Sequence, residues 1–197
     1  MAANAMNGRD PYYWQNDDVL RNRLDLHDAA QLQKAEAAFT SLRAATIELG
    51  PRNLGFPYLC AIHRTLFQDL YDWAGEIREI DLYLGNTPFC HFEYIEKEGN
   101  ALMDALEEEN GLADLPFEQF VARLAHYYCE INMLHPFRDG NGRAQRLFFE
   151  QLIIHAGYDI DWSKTEREAW LRANEESVNG DLQGLTDIFS NVVSEPK

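Results

Sequence analysis

Residues 135–143 read His-Pro-Phe-Arg-Asp-Gly-Asn-Gly-Arg, and Arg146 follows one helical turn after Arg143. His135 has a reference pKa of about 6.5, so at neutral pH it is mostly uncharged and can accept a proton. Asp139 offers hard carboxylate oxygens of the kind that hold Mg²⁺ together with substrate phosphates. Gly140 and Gly142 permit positive φ and leave no side chain to block a ligand. A helix starting near Asn141 aims its unpaired first-turn N–H groups at that ligand, which makes an anion cradle. Arg143 and Arg146 fall on one helical face, and their guanidinium forks match phosphate oxygens. The combination suits a metal-bound polyphosphate held beside a base that activates a nucleophile. Each residue alone has a bland alternative: an ordinary Gly-Asn-Gly turn, a structural histidine, arginines paired with surface acids. Their concurrence at one helix start is what singles the run out.

Two helices must bring the run into position. Phe117, Phe120, Val121, Leu124, Tyr128, Ile131 and Leu134 make an apolar stripe that ends at His135, because Pro136 disfavours the helical conformation there. The following segment, Asn141 to Gly157, is apolar nearly all round through Leu147, Phe148, Phe149, Leu152, Ile153 and Ile154, which predicts a central, buried helix.

Upstream, Asp28 with Gln31 reads as a capping box. It opens a helix with Leu32, Ala35, Phe39, Leu42 and Ile47 on one face and a stop at Gly50-Pro51. Further helices are expected over Pro57–Trp73 and Glu93–Glu109, from a capping box at Ser163 and Glu166 through Trp170, and over Asp181–Val193. Ile77, Ile80, Leu82, Leu84, Phe89 and Phe92 flank Gly85-Asn86 and predict a short β-hairpin. The fold class is all-α with one hairpin, in one domain of residues 1–197 with a core of about 12–193. The ends before Pro11 and after Val193 are expected to fray.

Composition narrows the function. The chain has 197 residues, 46% of them hydrophobic, and a net charge of −16. Direct nucleic-acid binding is disfavoured by that charge, and proteins are the expected macromolecular partners. No apolar run reaches membrane-spanning length and no signal peptide is visible. Cys60, Cys90 and Cys129 read as reduced, packed thiols of a cytoplasmic protein, with no zinc-site spacing. Glu107, Glu108 and Glu109 read as a solvated helix end.

The run resembles the core motif of the Fic (Fic/Doc) family, His-x-Phe-x-Asp/Glu-Gly-Asn-Gly-Arg-x-x-Arg, and matches it completely from His135 to Arg146. The stretch from Ile62 to Arg78 is similar to the family helix that leads to its flap. The resemblance implies a Fic-type helical bundle with a hairpin flap, and a protein adenylyltransferase that moves AMP from ATP to a protein hydroxyl. It assigns the base role to His135 and the Mg²⁺ to Asp139. It gives the anion hole to Gly140, Asn141 and Gly142, and the outer phosphates to Arg143 and Arg146. Phe137 becomes a buried anchor, and Thr87, Pro88 and Phe89 the edge on which a target strand docks. Trp170 and Asn174 are candidates near the adenine, with packing the plainer role for Trp170.

Many relatives carry an inhibitory Ser/Thr-x-x-x-Glu helix; here no Ser or Thr is followed four positions later by Glu. The resemblance therefore points to stand-alone bacterial toxins silenced by a small antitoxin whose glutamate reaches Arg146. It also points to the ATPase subunits of DNA gyrase and topoisomerase IV as targets. Phosphorylation is disfavoured, because both glycines are present. Phosphocholination and de-AMPylation on the same fold stay open, and a non-catalytic regulatory module conflicts with the intact His135, Asp139 and Arg143.

Overall fold

A computed structural model describes residues 4–5 and 10–195. Among these, seven α-helices and two small antiparallel sheets form the structure. The helices are α1 (Ala29–Ala44), α2 (Phe56–Phe67), α3 (Ile95–Glu108), α4 (Phe117–Leu134), α5 (Asn141–His155), α6 (Arg167–Val178) and α7 (Gln183–Val192). The strands are β1 (Asn4–Ala5), β2 (Leu82–Leu84), β3 (Thr87–Pro88), β4 (Asp159–Ile160) and β5 (Val193–Ser194).

α4 is the axis of the bundle and packs against α3, α5, α6 and α7. Phe120, Leu124, Ala125, Tyr128 and Ile131 on it are essentially inaccessible, so the expected apolar stripe is the stripe that the core covers. α5 crosses beside it with Ala144, Phe148, Phe149 and Ile153 fully buried. Its expected all-round burial does not hold, because Ile154 is 43% exposed and Leu147 only partly covered. α2 begins after Gly55 with Pro57 in its first turn, where the missing N–H costs nothing.

Several boundaries differ from expectation. Asp28 does cap α1 by accepting from Gln31 N at 2.8 Å, but the helix stops at Ala44 rather than running to Gly50. Its buried face is Leu32, Glu36 and Thr40, while Leu42 is 70% exposed. α2 ends at Phe67, six residues before Trp73, with Leu70 and Tyr71 buried in the turns beyond it. Ser163 caps nothing; Asp161 accepts from its N–H at 3.0 Å and its hydroxyl at 2.6 Å, and α6 starts only at Arg167. Glu109 is no free helix end, since Arg123 and the Tyr127 hydroxyl both donate to its carboxylate.

The hairpin stands as β2 and β3, joined at Gly85-Asn86 with Leu84 opposite Thr87 and Tyr83 opposite Pro88. Gly85 has φ 59°, which a two-residue hairpin turn requires at its first central position. Of the ends expected to fray, residues 1–3, 6–9 and 196–197 lie outside the described residues, and the described parts are paired. β1 pairs with the outer edge of β2, and β5 pairs with β4.

Candidate active site

The loop between α4 and α5 is fixed residue by residue. α4 closes at His135, which takes a left-handed conformation (φ 44°, ψ 60°). A non-glycine residue holds that shape only where its surroundings impose it. Here Arg78 imposes it: the buried guanidinium donates to the His135 carbonyl at 2.7 Å and to the carbonyls of Ile80 and Cys90. Burial pushes the Arg78 pKa down to about 10, still well above neutrality. The backbone joins in, with Arg78 N–H donating to Pro136 O at 2.9 Å and Cys90 N–H to Met133 O at 3.0 Å. The hairpin root and the end of α4 are thus one unit.

Phe137 is fully buried and stacks on His63, with centroids 3.9 Å apart. The Asn141 side chain closes the loop on itself, accepting from Phe137 N–H at 2.9 Å and donating to Phe137 O at 2.7 Å. Its amide is therefore tied into the loop, while its backbone N–H opens α5. Arg138 is buried and donates to Asp10 at 2.7 Å, tying the loop to the N-terminal segment. Gly140 caps α5 with φ 79°. A Cβ there would stand 2.4 Å from the Phe67 ring, so glycine is required on both counts.

The cradle is narrower than expected. Gly140 N–H donates to its neighbour Asp139 Oδ1 at 2.6 Å. Among the described residues, no acceptor meets the N–H groups of Asn141 and Gly142, which are left at the positive end of the α5 dipole. Nothing lies within 4 Å of a Cβ built on Gly142. His135, Asp139, Gly140, Asn141, Gly142, Arg143 and Arg146 all line one cleft of about 430 Å³. Trp170 and Asn174 line it from α6. Arg146 lies over Trp162, 4.7 Å to the ring centroid, and at 5.9 Å from Trp170.

His135 is 7% exposed and its ring stacks on Phe89 at 3.9 Å. Burial pushes its pKa down to about 3, so the ring is neutral near pH 7. Its Nδ1 faces the Asn132 carbonyl at 3.3 Å. A carbonyl only accepts, so Nδ1 carries the proton and Nε2 keeps its lone pair. The three flap residues separate: Thr87 is half-buried and Pro88 exposed on edge strand β3, whereas Phe89 is 5% exposed against His135.

Asp139 is partly exposed in the cleft. No group of three His, Cys, Asp or Glu side chains poised for a metal occurs among the described residues. A lone carboxylate beside an anion cradle fits Mg²⁺, which completes its octahedron with waters and substrate phosphates.

Three residues outside the motif belong to this site: Arg78, His63 behind the loop, and Glu36, whose carboxylate accepts from Arg143 at 2.9 Å. His63 and Arg78 fall within the Ile62–Arg78 stretch that resembles the family, without a role of their own assigned to them there, and Glu36 lies outside any motif. The one usable signal was a charge on the otherwise apolar-periodic face of α1.

Residues 54–153 match the family model described as Fic/DOC family. A relative from Escherichia coli K12, named a probable protein adenylyltransferase Fic, is 60% identical over 95% of this chain and 94% of its own length. The protein adenylyltransferase VbhT of Bartonella schoenbuchensis is 38% identical over 94% of this chain, which spans 39% of that longer protein. The crystal structure of BepC from Bartonella tribocorum with bound AMPPNP superposes with a TM-score of 0.86 at 27% identity, covering 94% of this chain and 97% of that one. A Fic domain from Bartonella quintana with bound ADP gives 0.87 at 28% identity, covering 94% and 95%. Motif, fold and relatives agree, and the chain belongs to the Fic/DOC family, as a protein adenylyltransferase.

Proposed function

We propose that the cleft binds ATP and that His135 directs its AMP to a hydroxyl of a protein docked on the flap. The observation that carries this reading is the convergence on a single cleft of the His135 imidazole, two helix N–H groups that meet no acceptor among the described residues, two arginines and one carboxylate. His135 Nε2 takes the proton of the target Tyr, Ser or Thr as its oxygen attacks the α-phosphorus, and pyrophosphate leaves in line. The N–H groups of Asn141 and Gly142 stabilise the charge that builds on the phosphate oxygens. Arg143 and Arg146 hold the outer phosphates. Asp139 would hold Mg²⁺, which neutralises polyphosphate charge when bound. Thr87 and Pro88 offer the open edge of β3 to a target strand. Pro88 has no N–H, so side chains contribute much of that recognition.

Family resemblance supports a finer reading: a cytoplasmic toxin acting on the ATPase subunits of gyrase and topoisomerase IV. A separate antitoxin would silence it with a glutamate on Arg146. No helix among the described residues is long and apolar enough to cross a membrane.

The deciding experiment uses ATP labelled at the α- or the γ-phosphate, with Mg²⁺, bacterial lysate and a His135→Ala control. Label on a protein band from α-labelled ATP only, lost in the variant, is the expected result and gives the target's size. Transfer of the γ-label means a kinase-like reaction, and no label from either position removes the reading.

A further inference from the structure

α1 carries no part of the sequence motif, yet two of the three residues it buries, Glu36 and Thr40, are polar. Glu36 sits mid-helix and is 9% exposed. Both carboxylate oxygens are engaged: Oε2 accepts from Arg143 Nη2 at 2.9 Å, and Oε1 accepts from the Tyr71 hydroxyl. Tyr71 is itself immobilised, 1% exposed and stacked on Trp73 with centroids 4.3 Å apart. Opposite, the Arg143 guanidinium lies over the Phe67 ring at 4.5 Å. One face and one edge of the guanidinium are therefore fixed by groups that do not line the cleft.

We propose that Glu36 is a positioning residue for the nucleotide, holding Arg143 preset for the outer phosphates. The inference rests on reading the cleft as an ATP site.

A carboxylate against an anion-binding arginine has two opposite meanings. It competes with phosphate if it lies in the phosphate's place and can leave. It braces the arginine if it cannot leave and occupies only part of the fork. Three observations favour the brace. Glu36 belongs to the middle of a sixteen-residue helix rather than to a separable segment. Its second oxygen is held by Tyr71, so one arginine and one hydroxyl absorb its charge. Arg143 still has a side chain 37% exposed, so donors remain open to the cleft that it lines. A long side chain fixed beforehand loses less rotamer freedom when the ligand arrives.

The test is calorimetric titration of wild type, Glu36→Gln and Glu36→Ala with Mg-ATP and separately with AMP, with a thermal melt of each. Glu36→Ala is expected to weaken ATP binding on the order of 10-fold, the scale of one charge-assisted hydrogen bond. Glu36→Gln, which keeps the shape and an acceptor for Arg143, loses a few-fold by the same logic. AMP binding stays unchanged in both, because AMP lacks the outer phosphates. Should the alanine variant not fold, the glutamine variant still decides.

Unchanged ATP affinity would overturn the brace. Tighter ATP binding would make Glu36 a competitor, and an equal loss for AMP would reduce it to a generally structural residue. Wild type that binds no ATP would remove the AMP-transfer reading and this inference together. Wild type that binds ATP beside indifferent variants would remove the inference alone.

Discussion

The ring of His63 joins two segments of the site: its Nε2 lies 2.9 Å from the backbone carbonyl of Asp139, and its Nδ1 accepts from Gly75 N–H at 2.8 Å. Because Nδ1 accepts, Nε2 must be the protonated nitrogen, and it donates to Asp139. Burial pushes the His63 pKa down to about 3, so the neutral form that both bonds require is the form present. The ring also stacks on Phe137 and Phe67 at 3.9 and 4.6 Å. His63→Phe should keep the stack and strand both backbone groups, at about 1–3 kcal/mol each. Urea denaturation measures this; a loss under about 0.5 kcal/mol, within the range of an ordinary surface change, would show that the two bonds contribute nothing.

The two glycines of the motif should behave differently. Gly140→Ala forces a Cβ into Phe67 at a left-handed backbone, and strain of this kind costs about 1–3 kcal/mol. Gly142→Ala meets nothing within 4 Å, so its melting temperature should match wild type. Its methyl group then intrudes where the phosphate sits, and ATP affinity should fall. Equal melting temperatures for the two variants would contradict the packing described around Phe67.

Acid should unfold this protein through its histidines. His63 and His135 both have native pKa values near 3 against an ordinary 6.5. Well above pH 6.5 both are neutral folded or unfolded, and neither ring lowers the fold's stability. As pH falls below that value the unfolded chain binds protons that the native state refuses. Stability then drops by up to about 1.4 kcal/mol per pH unit for each ring, continuing toward pH 3. Urea midpoints between pH 7.5 and 5.5 test the slope, with His63→Phe expected to flatten it by close to half. A slope that His63→Phe leaves untouched would show that this ring is not the group being charged.

Asp139→Ala should disconnect activity from Mg²⁺. If Asp139 supplies the protein's metal contact, the variant loses transfer by on the order of 100-fold or more and needs far more Mg²⁺ to saturate, since the metal's charge stabilisation goes with it. The readout is the Mg²⁺ titration of AMP transfer. An unchanged half-saturation would remove Asp139 as the metal ligand.

How much of this was legible in the sequence depended on distance along the chain. The loop from His135 to Arg146 was readable because its parts are neighbours and their helix ends are written locally by Pro136 and the glycines. α4 was readable because its stripe never breaks: it runs from Phe117 to Leu134, the span of the observed helix, which ends at the motif as expected. The buried face of α1 was misread because it holds Glu36, whose partners Arg143 and Tyr71 lie 107 and 35 residues away. His63 and Arg78 reach the site loop through backbone carbonyls 76 and 57 positions away. The pairing of β4 with β5 is equally non-local, and two-residue strands carry no periodicity to detect.

Arg78 also bears on how such a protein diversifies. One cation serves both the root of the hairpin and the backbone that carries His135, so on the proposed reading a substitution at that root reaches the reaction itself. The tip around Gly85 and Asn86 is exposed and bonded to neither. If targets dock on this hairpin as proposed, new ones would be acquired by varying the tip alone, with the chemistry inherited unchanged.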